Sequence, residues 1–183
     1  TNVQQWGGRL LALWEAALPC KINPASLEYE GVETFDSLLP VGGLTVTSGV
    51  EGLDRSLGFG VAFTAHPRED RQRKRMVGWS WAAPLVAAQG LAIQICEWDV
   101  ATGALLETTP ARLPSAIAPH DFVITENYYV FVLNGMELKL APYVLGLCGP
   151  VGALLTTGEG VTLKLVPRPG STAAKLGRKP LTV

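Results

Sequence analysis

The chain is 183 residues long and 48% hydrophobic, with 15 Lys and Arg against 16 Asp and Glu for a formal net charge of −1. Such a length and apolar content suit one sizeable core and exclude a disordered tail. Near-neutrality removes any general attraction to nucleic acid or acidic lipid, so no nucleic-acid partner is expected.

The three cysteines, Cys20, Cys96 and Cys148, are far apart and odd in number. They lack the paired spacing of a zinc site and the density of a secreted disulfide scaffold, which favours a reduced, intracellular setting. Apolar runs are broken by Glu15, Pro84 and Gly90 before they reach the length of a membrane span. The opening "TNVQQWGG" has neither the basic start nor the apolar middle of a signal peptide, and the chain reads as an interior excerpt.

Short apolar segments recur along the chain, each closed by Gly, Pro or Asn, and none keeps a helical period over several turns. This is the punctuation of an all-β fold. Strands are expected over Arg9 to Ala16, Ser26 to Tyr29, Gly60 to Thr64, Met76 to Ala82, Leu91 to Asp99, Leu105 to Thr109, His120 to Thr125, Tyr128 to Asn134 and Val161 to Pro167. "KINPASLEYEG" reads as a hairpin initiated at Asn23-Pro24, and "CEWDVATGALLE" as another, turning through Asp99 to Gly103.

Pro40 to Leu57 is glycine-rich and weakly patterned, a surface insertion or an ordinary long loop. Arg68 to Arg75 concentrates five basic residues around Glu69 and Asp70; without interleaved aromatics it reads as a solvated hairpin tip. Trp79, Trp81, Phe122, Tyr128, Tyr129 and Phe131 alternate with smaller residues, as core packing or an apolar tunnel would require.

The chain holds two histidines, His66 in "FTAHP" and His120 in "PHDFVITENYYVFVLN", 54 positions apart. That gap excludes a local pair on one helix and is close to the roughly 40 to 50 residues of one propeller blade. Histidines one blade apart on inner strands would meet near a central axis. Taken alone, each reads as a structural, hydrogen-bonded residue before it reads as a ligand.

"TNV", "RLLALWEAALPCKINPASLEYEG", "FTAHP" and "PHDFVITENYYVFVLN" occur in the order and approximate spacing of the carotenoid cleavage oxygenase family, which this chain resembles over nearly its whole length. The resemblance implies a seven-bladed β-propeller with a non-heme iron(II), Fe(2+), held on its axis by four histidines. His66 matches the first ligand, His120 the second, and Glu15 an acidic residue that hydrogen-bonds a ligand histidine. Four neutral imidazoles would leave the ion its double charge and two open positions for oxygen and substrate. Glu15 would accept the far ring N–H of a ligand and fix its tautomer. Asp121 is expected to orient neighbouring backbone, with Glu126 and Asn127 as turn chemistry.

Family members carry two further ligand histidines, the third soon after a basic segment like "VPRPG"; here Val166 to Gly170 is followed by "STAAKLGRKPLTV". The expectation is a fragment: residues 1–183 as a single partial propeller domain of about three to four blades, inactive and poorly soluble alone. Its parent would be an iron(II) dioxygenase splitting a carbon–carbon double bond of a carotenoid or apocarotenoid with molecular oxygen, in plastid or cytoplasm, and in peripheral contact with membrane. The alternatives are a stilbene-cleaving or retinoid-isomerising member of the family, or a truncated, non-catalytic binding protein.

Overall fold

Alternating apolar side chains pair into antiparallel ladders from the first residues onward. The computed structural model describes residues 1–39, 41, 46–48, 60–84, 90–115, 117–139, 141–142 and 145–183. The first sheet is a meander of β1 (Asn2–Trp6), β2 (Arg9–Leu13), β3 (Cys20–Ile22) and β4 (Tyr29–Val32), with Trp6, Leu11 and Leu13 buried. The strand expected to run to Ala16 stops at Leu13, because Trp14 to Ala17 close a turn in which the Ala17 amide donates to the Trp14 carbonyl at 3.1 Å. The hairpin initiated at Asn23 is present, but Ser26 belongs to its turn: Asn23 Oδ1 accepts the amides of Ala25 and Ser26, so pairing resumes only at Tyr29.

The second sheet contains β5 (Val46–Thr47), β6 (Ala62–Phe63), β7 (Arg68–Asp70), β8 (Arg75–Pro84), β9 (Leu91–Asp99) and β10 (Leu105–Leu113), in the order β10-β9-β8-β5, with β6 and β7 also on β8. The β9–β10 turn is the expected one. Asp99 Oδ1 accepts the amides of Ala101 and Thr102, and Gly103 has φ +71°, with Arg9 Nη1 only 2.1 Å from where a Cβ would stand. β10 extends beyond Thr109 through Pro110, which an edge strand tolerates because it need not donate outward. The insertion expected over 40–57 lies outside the described residues apart from Val41 and residues 46–48.

The third sheet is built from β11 (Phe122–Ile124) and β12 (Tyr128–Leu133). After β13 (Met136–Leu138), α1 (Pro150–Ala153) and β14 (Leu154–Thr156), it resumes with β15 (Thr162–Pro167), passes α2 (Thr172–Lys175) and ends with β16 (Leu181–Thr182). Its order is β11-β12-β15-β16; β13 and β14 form a separate ribbon. No helix among the described residues is long and apolar enough to cross a membrane.

Strand periodicity puts both faces of the second sheet in a core. Val77, Trp79, Ile93 and Ile95 pack against Phe122, Tyr129, Phe131 and Val166 of the third sheet. The alternate residues Met76, Cys96 and Trp98 pack with Trp6, Leu11 and Leu13 of the first. Trp79, Phe122, Tyr129 and Phe131 are therefore core residues, and Trp79 meets Phe131 edge-on at 5.6 Å.

The charge run differs from a solvated tip in a regular way. Arg68, Glu69, Arg71, Gln72 and Lys74 are exposed, but Arg68, Asp70 and Arg73 find partners in or beside the third sheet, and Arg75 finds one on the neighbouring β9. Arg68 pairs with Asp121, Asp70 with Arg168 at 2.8 Å, Arg75 with Glu97 at 2.5 Å, and Arg73 donates to the Glu126 carbonyl at 3.0 Å. Glu97 and Arg168, each 1% exposed, are the centre of this seam. Arg168 Nη2 donates to Glu97 Oε1 at 2.8 Å, and the Tyr129 hydroxyl donates to the same oxygen at 2.7 Å. Burial alone would raise the Glu97 pKa; donation from Arg75, Tyr129 and Arg168 outweighs it and holds the carboxyl below its ordinary range.

Candidate metal centre

His66 sits where the chain breaks away from the second sheet between β6 and β7. Thr64 makes a last ladder bond, its amide donating to the Trp79 carbonyl at 2.9 Å, and its hydroxyl then accepts the His66 amide at 3.1 Å. His120 lies just ahead of β11, where Asp121 Oδ1 accepts the Phe122 amide at 2.7 Å, the backbone role expected of Asp121. The two imidazoles meet edge-to-face with ring centroids 4.7 Å apart and planes at 64°.

Glu15 reaches the same place from the turn after β2. Its backbone is held from two sides: Trp81 Nε1 donates to the Glu15 carbonyl at 2.9 Å, and the Phe63 amide donates to the Ala17 carbonyl at 3.0 Å. Glu15 Oε1 stands 3.0 Å from His120 Nδ1. Burial acts to raise the Glu15 pKa, but its own backbone amide, the Thr1 amino group and His120 outweigh it and leave the carboxyl below the usual range. An ionised carboxylate only accepts, so Nδ1 carries the hydrogen, the tautomer that in a neutral imidazole leaves the Nε2 lone pair for a ligand.

The structure thus brings His66, His120 and Glu15 together. His66 Nε2 is buried without a hydrogen-bond partner, an arrangement that costs free energy unless something satisfies it. A transition-metal ion would do so, since imidazole nitrogens suit iron, zinc, copper and nickel alike. Among the described residues no group of three or more His, Cys, Asp or Glu side chains converges to hold a metal; the two imidazoles and Glu15 are what this chain brings to the place. Cys96 takes no part: burial pushes its thiol up to about 12.

Beside His120 lies a cavity of about 210 Å³, touched by Glu15 and His120 and otherwise lined mainly by aliphatic residues such as Ile117, Pro119, Val132, Leu133, Met136 and Leu154. Trp81, whose indole fixes the Glu15 turn, was not distinguishable in the sequence from its neighbour Trp79 two positions earlier. Only the spatial pairing across 66 residues reveals it.

The family described as retinal pigment epithelial membrane protein matches residues 1–175. The apocarotenoid-15,15'-oxygenase of Synechocystis is 28% identical over 180 aligned residues, covering 91% of this chain and 33% of that protein. Resveratrol cleavage oxygenase 1 of Aspergillus fumigatus is 30% identical over 132, covering 72% of this chain and 22% of that one. The crystal structure of cobalt-substituted Synechocystis ACO superposes with a TM-score of 0.74 at 26% identity, covering 100% of this chain and 33% of that chain. The chain spans a third or less of the length of these relatives, and its three larger sheets are blades of a β-propeller.

Proposed function

Since the chain belongs to the retinal pigment epithelial membrane protein family, that of the carotenoid cleavage oxygenases, we propose that the intact protein is a non-heme iron(II) dioxygenase. It splits a carbon–carbon double bond of a carotenoid or apocarotenoid, each new terminus taking one atom of dioxygen to give two carbonyl products. The observation that carries this reading is the convergence of His66 and His120, with His66 Nε2 buried and unpartnered and His120 oriented by Glu15.

His66 and His120 would hold the ion through ring nitrogens, with further ligands from elsewhere in the intact protein. Ferrous iron so held supplies the redox chemistry of dioxygen. Glu15 keeps His120 in one tautomer and one orientation. The aliphatic cavity beside His120 offers an apolar chain a place out of water, and its walls would select which double bond lies near the imidazoles.

Kinship to a resveratrol-cleaving enzyme supports a second reading, cleavage of a stilbene, because the residues assigned here serve the metal and not the substrate. The experiment is metal analysis of the intact protein followed by product identification with carotenoids, apocarotenoids and resveratrol. Iron near one per chain and paired aldehydes from a polyene are expected. Iron-free protein that cleaves none of them overturns the assignment, and cleavage of resveratrol alone selects the second reading.

A further inference from the structure

Arg68 stands two residues after His66, and Asp121 directly follows His120. Their side chains form an ion pair, and Arg68 Nε also donates to the Phe122 carbonyl at 3.2 Å. Asp121 uses its other oxygen, Oδ1, for the Phe122 amide. One guanidinium therefore grips the His120 segment at a carboxylate and at a main-chain carbonyl. Its own backbone is fixed in β7, where Arg68 pairs with Val77 of β8. A planar fork serves two acceptors in fixed directions, which the compact, freely rotating ammonium of lysine does not.

We propose that Arg68 is a positioning residue which, through Asp121 and the Phe122 carbonyl, sets the separation and tilt of the His66 and His120 rings and thereby the metal affinity of the pair; this rests on the metal-centre reading above. The side chains of Arg68 and Asp121 are 43% and 39% exposed, so solvent screens the pair and it adds little to global stability. Its effect is local. His120, with a side chain 65% exposed, gets little orientation from packing, and the clamp fixes the backbone from which it projects. Metal affinity responds to such supporting contacts because the donor atoms must coincide in position and direction.

The test is cobalt(II) titration of the metal-free intact protein, reading affinity, the d–d absorption envelope and the metal-free thermal midpoint. Arg68→Ala is expected to weaken cobalt binding about tenfold and to alter the envelope. Its metal-free midpoint should move by no more than about 2 °C. Arg68→Lys, which keeps the charge but not the fork, should show a smaller loss in the same direction. Unchanged affinity in Arg68→Ala, or a loss matched by a large fall in the midpoint, overturns the positioning role. If Arg68→Ala does not fold, Arg68→Lys decides: weakened binding at an unchanged midpoint supports the role, and wild-type affinity overturns it. A wild-type protein that stays colourless with cobalt removes the metal-centre reading and this one with it, an outcome distinct from a defect confined to the variants.

Discussion

Two polar clusters link the second and third sheets, and they are built on opposite principles. Around Glu97 and Arg168 every charge is met: Arg75, Arg168 and Tyr129 converge on one carboxylate, and Asp70 and the Thr125 carbonyl accept from Arg168. Around His66 and His120 the donors are incomplete, with a buried nitrogen left unpartnered. A closed cluster can only hold sheets together, whereas an open one has valence left for a ligand. The contrast fits the seam to stability and, on the proposed function, the imidazoles to chemistry.

The most severe way to break this division is Arg168→Ala. It leaves Glu97 and Asp70 short of a buried partner, at a cost of about 3–5 kcal/mol in the intact protein by denaturant unfolding, with metal bound by the fraction that stays folded. A loss below about 1 kcal/mol would mean that the seam is not the fastener. Acid attacks the same cluster. Burial works to raise the Asp70 carboxyl too, but the Arg73 amide and Arg168 outweigh it and hold it low, as Glu97 is held. Groups with depressed values bind protons more weakly folded than unfolded. Their stabilisation is complete above the ordinary values of 4.5 for glutamate and 3.8 for aspartate, and drains as the pH falls through and below them. Unfolding measured over a pH series should show that decline in wild type and a flatter one in Arg168→Ala; equal slopes would dissociate the seam from acid stability.

Glu15→Gln probes the other side of the comparison. An amide still accepts from His120 Nδ1 but without a charge, so cobalt(II) affinity should fall about tenfold with metal-free stability within about 1 kcal/mol of wild type. Equal losses in both would erase the distinction between the clusters.

How much of this was legible depended on range. The Cys96–Glu107 hairpin announces itself through Asp99 and Gly103, residues whose turn chemistry is local. His66, His120 and Glu15 were found through motif order, since no spacing rule links residues from three separate loops. Strands of three residues such as Cys20–Ile22, Arg68–Asp70 and Met136–Leu138 are too short to carry a period and exist because a neighbour offers an edge. The seam was hidden for a related reason. Arg68 and Asp70 alternate with Glu69 inside a charge run broken only by Gln72, and only a sheet packed on one side makes that alternation matter. Glu97 and Arg168, 71 residues apart, give no sign of each other in the sequence.

Trp81→Phe sharpens the comparison at its smallest scale, because Trp81 is a core-edge residue that touches the site through one bond. Phenylalanine keeps most of the apolar contact with the core but leaves the Glu15 carbonyl without its indole donor. A net loss of about 0.5–1.5 kcal/mol in stability is expected from that hydrogen bond. The Glu15 turn stays tethered through the Phe63 amide and the Ala17 carbonyl, so Glu15 should loosen without detaching and the drop in cobalt(II) affinity should be smaller than that of Glu15→Gln. Parallel titrations of the two variants rank them. Were Trp81→Phe to weaken metal binding more than Glu15→Gln, the indole would have to act on the imidazoles by another route, and the turn would not be the path by which the core orients His120.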